Sequence, residues 1–189
     1  NIASHNKSLA LLYRNFPALR QMDFVTRVVN ISAIFLGRPY ISGANGEGHE
    51  GRFDQMPLYR FDGFDCVTYL NTILALALSN NMVSFKKTLL KVAYRHAQPS
   101  YANRHHFMSV DWNPHNQQLN LTKDITATIC HAQGHSLARY AKACIDRPNW
   151  FRARCYADLR LLQAITDQEA TALLAKIHAI ADTVDAENT

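Results

Sequence analysis

The chain has 189 residues, 48% of them apolar and 19% charged, with a formal charge of +5 and nine histidines that add to it below neutral pH. That length and apolar content suit one domain with a sizeable core, read here as a single domain over residues 1–189. The basic excess suits an anionic partner and selects neither cell-wall polymer, nucleic acid nor membrane surface. Lysine and arginine are scattered, without a basic stripe between aromatics, so nucleic acid is not expected as a partner. No apolar run approaches the ~20 residues of a membrane span. The chain begins at Asn1, not Met, and reads as a processed or trimmed product. Its cysteines, Cys66, Cys130, Cys144 and Cys155, are widely spaced and form no Cys-x-x-Cys pair, so no metal and no cofactor is expected. If the protein is exported, two of Cys130, Cys144 and Cys155 can bridge while Cys66 stays free.

In chain order, residues 5–36 read as helical. Leu9, Leu12, Phe16 and Leu19 lie three or four apart, and Phe24, Val28, Ile31 and Phe35 continue the spacing. Pro17 splits the stretch in two, since it offers no helix N–H. The second helix ends at Gly37, with Pro39 as a stop. Next, Gly43, Gly46, Gly48 and Gly51 lie within nine residues, too many for a regular element. This stretch is either a cleft wall carrying Tyr40 and Glu47 or a solvated connection. It lacks the Gly-Lys-Ser/Thr of a phosphate-binding loop. Leu58-Tyr59-Arg60-Phe61 is a short strand-like run.

Cys66 follows, where a Gly-containing loop becomes an apolar helix. Asp65 is a good N-cap, because its carboxylate can accept from a free N–H of the first turn. Val67, Leu70, Ile73, Leu74, Ala77 and Leu78 form one apolar face at helical spacing. The N–H groups and dipole at a helix start favour an anion, and so the thiolate over the thiol. Two readings of Cys66 stay open on these grounds: a nucleophile, or a small buried thiol in the core.

Residues 85–94 form a second amphipathic helix with Ser84 as N-cap and Phe85, Leu89, Val92 and Ala93 inward. Arg104, His106, Ser109 and Asp111 then cluster beside Phe107 and Trp112, as substrate or acid/base groups or as a polar loop packed by aromatics. Asn113 to Asn116 read as a turn, and Leu119 to Thr122 as a short alternating strand. His131 and His135 are four apart without the Glu of a zinc motif, and Gly134 weakens the helix between them. Residues 136–182 read as largely helical, with a capping box at Thr166-Asp167-Gln168-Glu169.

Several motifs fall in one order and spacing: Gly37-Arg38-Pro39-Tyr40, Phe64-Asp65-Cys66-Val67-Thr68-Tyr69, Arg104-His105-His106 with Ser109 and Asp111-Trp112, then Asn116 and Asp124-Ile125-Thr126. In these the chain resembles the NlpC-like bacterial cell-wall cysteine amidases over most of its length. The resemblance implies an α+β, papain-like cysteine peptidase fold with the catalytic Cys at a helix N-terminus. It implies N-acetylmuramoyl-L-alanine amidase activity on a peptidoglycan fragment or muropeptide, in a periplasmic or secreted protein. Cys66 matches the nucleophile, Tyr40 and Asp65 match cleft residues near the new amine, and Arg104 and His106 match further cleft residues. Glu47 and Asp111 are added as candidate substrate-binding residues.

Two departures accompany the resemblance. Asn71 stands where such amidases usually carry Glu. The strand bearing their general-base His, and a second strand with the orienting His, would follow the helical segment that ends near Asp182, and neither motif is present. The chain is therefore expected to be the N-terminal part of a longer amidase lacking the C-terminal β-strands. Within it, His106 is the best substitute base, with Asp111, Asn116 or Asp124 to orient it. The alternatives are a catalytically inactive muropeptide-binding module that keeps the cleft, and a helical interaction protein in which Cys66 is merely core.

Overall fold

A computed structural model of the chain describes residues 2–15, 17–52, 54–131, 145–150, 166, 168–169, 171–173 and 175–176. Two compact units divide the chain, Asn1–His105 and His106–Thr189.

The first unit is built around one helix. Helices α1 (Ile2–Asn15) and α2 (Phe24–Ile34) are separated by a 3-10 turn at Pro17–Gln21, where Pro17 breaks the helical hydrogen bonding as expected. Helix α3 (Cys66–Ala77) packs against both α2 and α4 (Met82–Ala93), and α1 meets α4. Being held on two sides, α3 buries Ile73, Leu74, Ala75, Leu76 and Ala77 in succession. Its burial is thus wider than the single apolar face read from the spacing, while Leu78 at its C-cap is exposed. Helix α4 turns Phe85, Leu89, Val92 and Ala93 inward, as the spacing predicts. Burying each of the first three contributes about 1.5–3 kcal/mol. Its N-cap is Asn81, one turn earlier than expected, and Ser84 is the reciprocating partner in a capping box.

The C-terminal end of α3 meets two arginines. At the C-terminus Arg27 donates from Nη1 to the Ala77 carbonyl at 2.8 Å, and Arg20 donates to the Asn80 carbonyl at 2.8 Å. Cations there complement the negative end of the helix dipole. The N-terminus carries the candidate site.

Residues 38–64 run across these helices without forming a strand. Tyr59 and Phe61 of the strand-like run are both buried, among Phe35, Phe64 and Phe85. Phe35 stacks on Phe61 with centroids 5.8 Å apart, and Tyr59 meets Phe85 edge-on at 5.3 Å. The run is therefore pinned by side chains rather than by a neighbouring strand. Among the described residues the only β pairings are two isolated bridges, Tyr40 with Phe64 and Tyr94 with Arg104. The expected α+β, papain-like fold is accordingly corrected: the described chain is helix-rich and has no sheet. The expectation came from the resemblance, and the short runs at Leu58 to Phe61 and Leu119 to Thr122 find no partner strand to make a ladder.

In the second unit a widened turn at Met108–Trp112 leads into α5 (Asn113–Gln118), followed by α6 (Thr126–His131) and one turn of helix, α7 (Arg147–Trp150). Asn113 to Asn116, read as a turn, is thus the start of a short helix. The capping box at Thr166 is present: the Glu169 carboxylate accepts from the Thr166 N–H at 2.9 Å, and Thr166 Oγ1 accepts from the Glu169 N–H at 3.3 Å. The expected helices between 136 and 182 otherwise fall mainly outside the described residues. So do His135, Cys144 and Cys155, with the pairings considered for them. No helix among the described residues is long and apolar enough to cross a membrane.

Candidate active site at the start of helix α3

Cys66 is the first residue of α3 and is exposed, with a free thiol. Of the two readings left open by the sequence, the buried core thiol is therefore removed. Asp65 caps the helix with Oδ1 on the Thr68 N–H at 2.8 Å, and Thr68 Oγ1 accepts from the Asp65 N–H at 2.9 Å. This is a capping box with Thr in place of the usual Glu or Gln. Tyr69 is the first residue of the helix whose N–H has an intrahelical acceptor, the Asp65 carbonyl at 3.0 Å, so the N–H groups of Cys66 and Val67 before it are left as donors beside the thiol.

Tyr40 reaches this place through the backbone. The Ile41 N–H donates to the Phe64 carbonyl at 2.9 Å, and the Phe64 N–H donates to the Pro39 carbonyl at 3.1 Å. The bridge lays Tyr40 beside a residue two positions before Cys66, and its side chain is 72% exposed. Gly63 permits the approach, since a Cβ there would lie 2.8 Å from the Pro39 carbonyl oxygen. Further along the glycine loop, the Ala44 N–H reaches Asp65 Oδ2 at 3.4 Å. The segment that carries Tyr40 is thus bound to the segment that leads into Asp65 and Cys66, by contacts that join residues 21–25 positions apart.

Glu47 and Arg104 belong to a second cluster of the same unit. Glu47 is buried. Arg104 Nη1 donates to Asp54 Oδ2 at 2.8 Å, with the two side chains 21% and 8% exposed. Tyr94, at the end of α4, donates its hydroxyl to the Gly46 carbonyl at 2.9 Å. Burial acts to lower the Arg104 guanidinium pKa, but Tyr94, Asp54 and Glu47 outweigh it and hold it above its ordinary value. Burial pushes the Tyr94 phenol up, against the opposing charge of Arg104. Sequence reasoning missed Asp54 and Tyr94. Tyr94 reads as one more aromatic at a helix end, and Asp54 acquires meaning only from Arg104, fifty positions away.

His106 and Asp111 lie in the second unit. His106 packs on Trp150, centroids 4.9 Å apart. Asp111 is buried and accepts from Arg147 at 2.6 and 3.0 Å and from the Phe107 N–H at 3.1 Å. Of the residues considered for orienting His106, Asn116 is fully buried and donates to the Trp112 carbonyl, while Asp124 accepts from the Thr126 N–H. Asn71 is buried within α3. No group of three or more His, Cys, Asp or Glu residues that could hold a metal ion occurs among the described residues.

An exposed thiol thus stands at a capped helix start, with the Tyr40 backbone bridged to Phe64, two positions before it. The chain belongs to the AmiA-like family, described as N-acetylmuramoyl-L-alanine amidase-like, whose family model matches residues 30–183. That places it in a peptidoglycan amidase-like family; the narrower NlpC-like, papain-fold assignment is not what the match shows. A crystal structure of a Legionella pneumophila str. Philadelphia 1 protein of the DUF1460 family model is similar at 40% identity and a TM-score of 0.78, over 97% of this chain and 61% of that one. A Bacteroides fragilis protein carrying a provisional xylanase name shares the fold at 20% identity and a TM-score of 0.57, over 82% of this chain and 61% of that one. This chain therefore spans 61% of the length of each. Comparison with curated proteins gave no match.

Proposed function

We propose that the protein hydrolyses the amide between the lactyl group of N-acetylmuramic acid and the L-alanine of the peptide stem, with Cys66 as nucleophile. The observation that carries this is the exposed thiol at the first position of α3, beside Asp65 and Tyr40. The family match supplies the substrate class.

In the proposed reaction the Cys66 thiolate attacks the lactyl carbonyl carbon and forms a C–S bond. The carbonyl oxygen takes up negative charge, which the N–H groups at the start of α3 are suited to stabilise. The C–N bond breaks, and the alanine nitrogen leaves as an amine after gaining a proton. Water then adds to the thioester, releases the lactyl carboxylate and regenerates the thiol. Tyr40 is assigned to the cleft near the leaving amine. The substrate class supports a site of action outside the cytoplasm.

The test uses the natural full-length protein and a purified muropeptide, with stem-peptide release followed by mass spectrometry. Cys66→Ala is expected to lower turnover by roughly 10⁴-fold or more, with its melting temperature unchanged because the thiol is exposed. Turnover unchanged in Cys66→Ala sinks the proposal. Muropeptide binding without turnover in the wild type identifies an inactive binding module instead.

A further inference from the structure

The geometry points to Asp54 and Tyr94 as positioning residues for Cys66, acting through the glycine loop and the Asp65 carboxylate. The inference rests on the reading of Cys66 as nucleophile. Neither residue touches Cys66 in the contacts described, and both act on the backbone of residues 44–48.

The path is continuous. Tyr94 holds the Gly46 carbonyl, and the Gly46 N–H donates to the Pro57 carbonyl at 2.8 Å. Asp54 grips the same loop from the other side. Its carbonyl accepts from the Glu47 N–H at 2.8 Å, while its Oδ1 accepts from the Met56 N–H at 3.1 Å. Gly46 has no side chain to spare here, because a Cβ would stand 2.5 Å from Asp54 Oδ1. Two residues upstream, the Ala44 N–H makes the 3.4 Å contact with Asp65 Oδ2. That contact is long for a hydrogen bond, so a small shift of the loop removes it.

Arg104 completes the clamp from behind. Its Nε and Nη2 are sealed from solvent, and its Nη1 is on Asp54. It bears on both residues of the clamp, on Asp54 through that bond and on the Tyr94 hydroxyl through its charge. The chemical consequence falls on Asp65, whose negative charge stands one residue before the thiol. Held by the Thr68 and Ala44 N–H groups, that charge is turned onto donors. With Ala44 withdrawn, the carboxylate is less compensated and opposes a neighbouring thiolate.

The test measures iodoacetamide alkylation of Cys66 at pH 7 in the native full-length protein, with thermal unfolding recorded alongside. Tyr94→Phe removes one hydroxyl, and Asp54→Asn removes one charge at constant shape. Each is expected to slow alkylation about three- to tenfold, the size of one lost hydrogen bond, while the protein stays folded at the assay temperature. Arg104→Met, which removes the donor to Asp54 Oδ2, should slow alkylation as Asp54→Asn does. On muropeptide, kcat should fall while KM holds. Wild-type alkylation rates in Tyr94→Phe and Asp54→Asn, even with lowered melting temperatures, overturn the inference and leave the clamp purely structural. Alkylation needs no substrate, so a wild type that fails to turn over muropeptide defeats the amidase reading while this comparison still decides the positioning role.

Discussion

Each unit contains an arginine–aspartate pair away from full exposure, and the two are built differently. In the second unit Arg147 of α7 is joined by two bonds to Asp111 of the widened turn, 36 positions earlier, with side chains 8% and 2% exposed, and Asp111 also closes that turn through the Phe107 N–H. In the first unit Arg104 makes one bond to Asp54, and both side chains are less deeply buried. The first unit spends the rest of that chemistry on backbone, since Asp54 and Tyr94 hold the loop that ends against the Cys66 helix. The difference teaches that an ion pair's role depends on what else its members hold. One pair ties α7 to the widened turn, and the other stands behind a loop held by its backbone.

The comparison is broken most sharply at Arg147. Arg147→Met leaves the Asp111 carboxylate buried without its counter-ion, and should cost about 3–5 kcal/mol in urea unfolding. Pairing it with Asp111→Leu should recover much of that loss, because an apolar pair leaves no buried charge. A loss below 1 kcal/mol for the single variant would show that the pair is hydrated rather than buried.

Gly46→Ala probes the other pair. Its new Cβ collides with Asp54 Oδ1 and with the Met56 Cβ at 2.8 Å. Forced crowding of this kind should cost about 1–3 kcal/mol. The loss should be smaller in Gly46→Ala combined with Asp54→Ala, which removes the carboxylate oxygen from the clash.

A third pair sets the lower end of the scale. Arg60 donates from Nε and Nη2 to Asp62 at 2.7 and 2.8 Å, a bidentate geometry as good as that of Arg147, but the Asp62 side chain is 55% exposed. Its hydrogen bond with Arg60 lowers the Asp62 pKa from the ordinary 3.8 to about 2. A depressed carboxyl contributes stability that is full above the unfolded pKa and is lost as pH falls through the folded one. The Asp62 share should therefore fade between pH 3.8 and about 2, and Asp62→Asn should flatten that part of the stability–pH curve. Screening by solvent keeps the effect below about 1 kcal/mol. An effect as large as that of Arg147→Met would mean that burial does not separate the three pairs.

Much of the local structure was legible because it depends on neighbours in sequence. Pro17 divides the first helical stretch, Asp65 caps the Cys66 helix, and Thr166 with Glu169 forms a capping box. Each is decided within four residues, by backbone sterics or by one side-chain hydrogen bond. The assignment to a peptidoglycan amidase-like family was also legible, from motifs at Tyr40, Cys66 and Arg104 in order. The expected papain-like α+β fold was not upheld. Strand pairing depends on partners distant in sequence, and Tyr59 and Phe61 alternate inward against an aromatic cluster without one.

Sequence by itself determined that a cysteine would begin a capped, apolar helix, because capping and helical periodicity are short-range rules. It left open whether that cysteine was core or surface. Tertiary structure decided that Cys66 is exposed, that Tyr40 is bridged by two bonds to Phe64 just before it, and that the glycine loop is held by Tyr94 and Asp54. The physical reason is range. The bonds from Tyr94 to Gly46 and from Arg104 to Asp54 join groups about fifty positions apart, and only the folded helices bring them together.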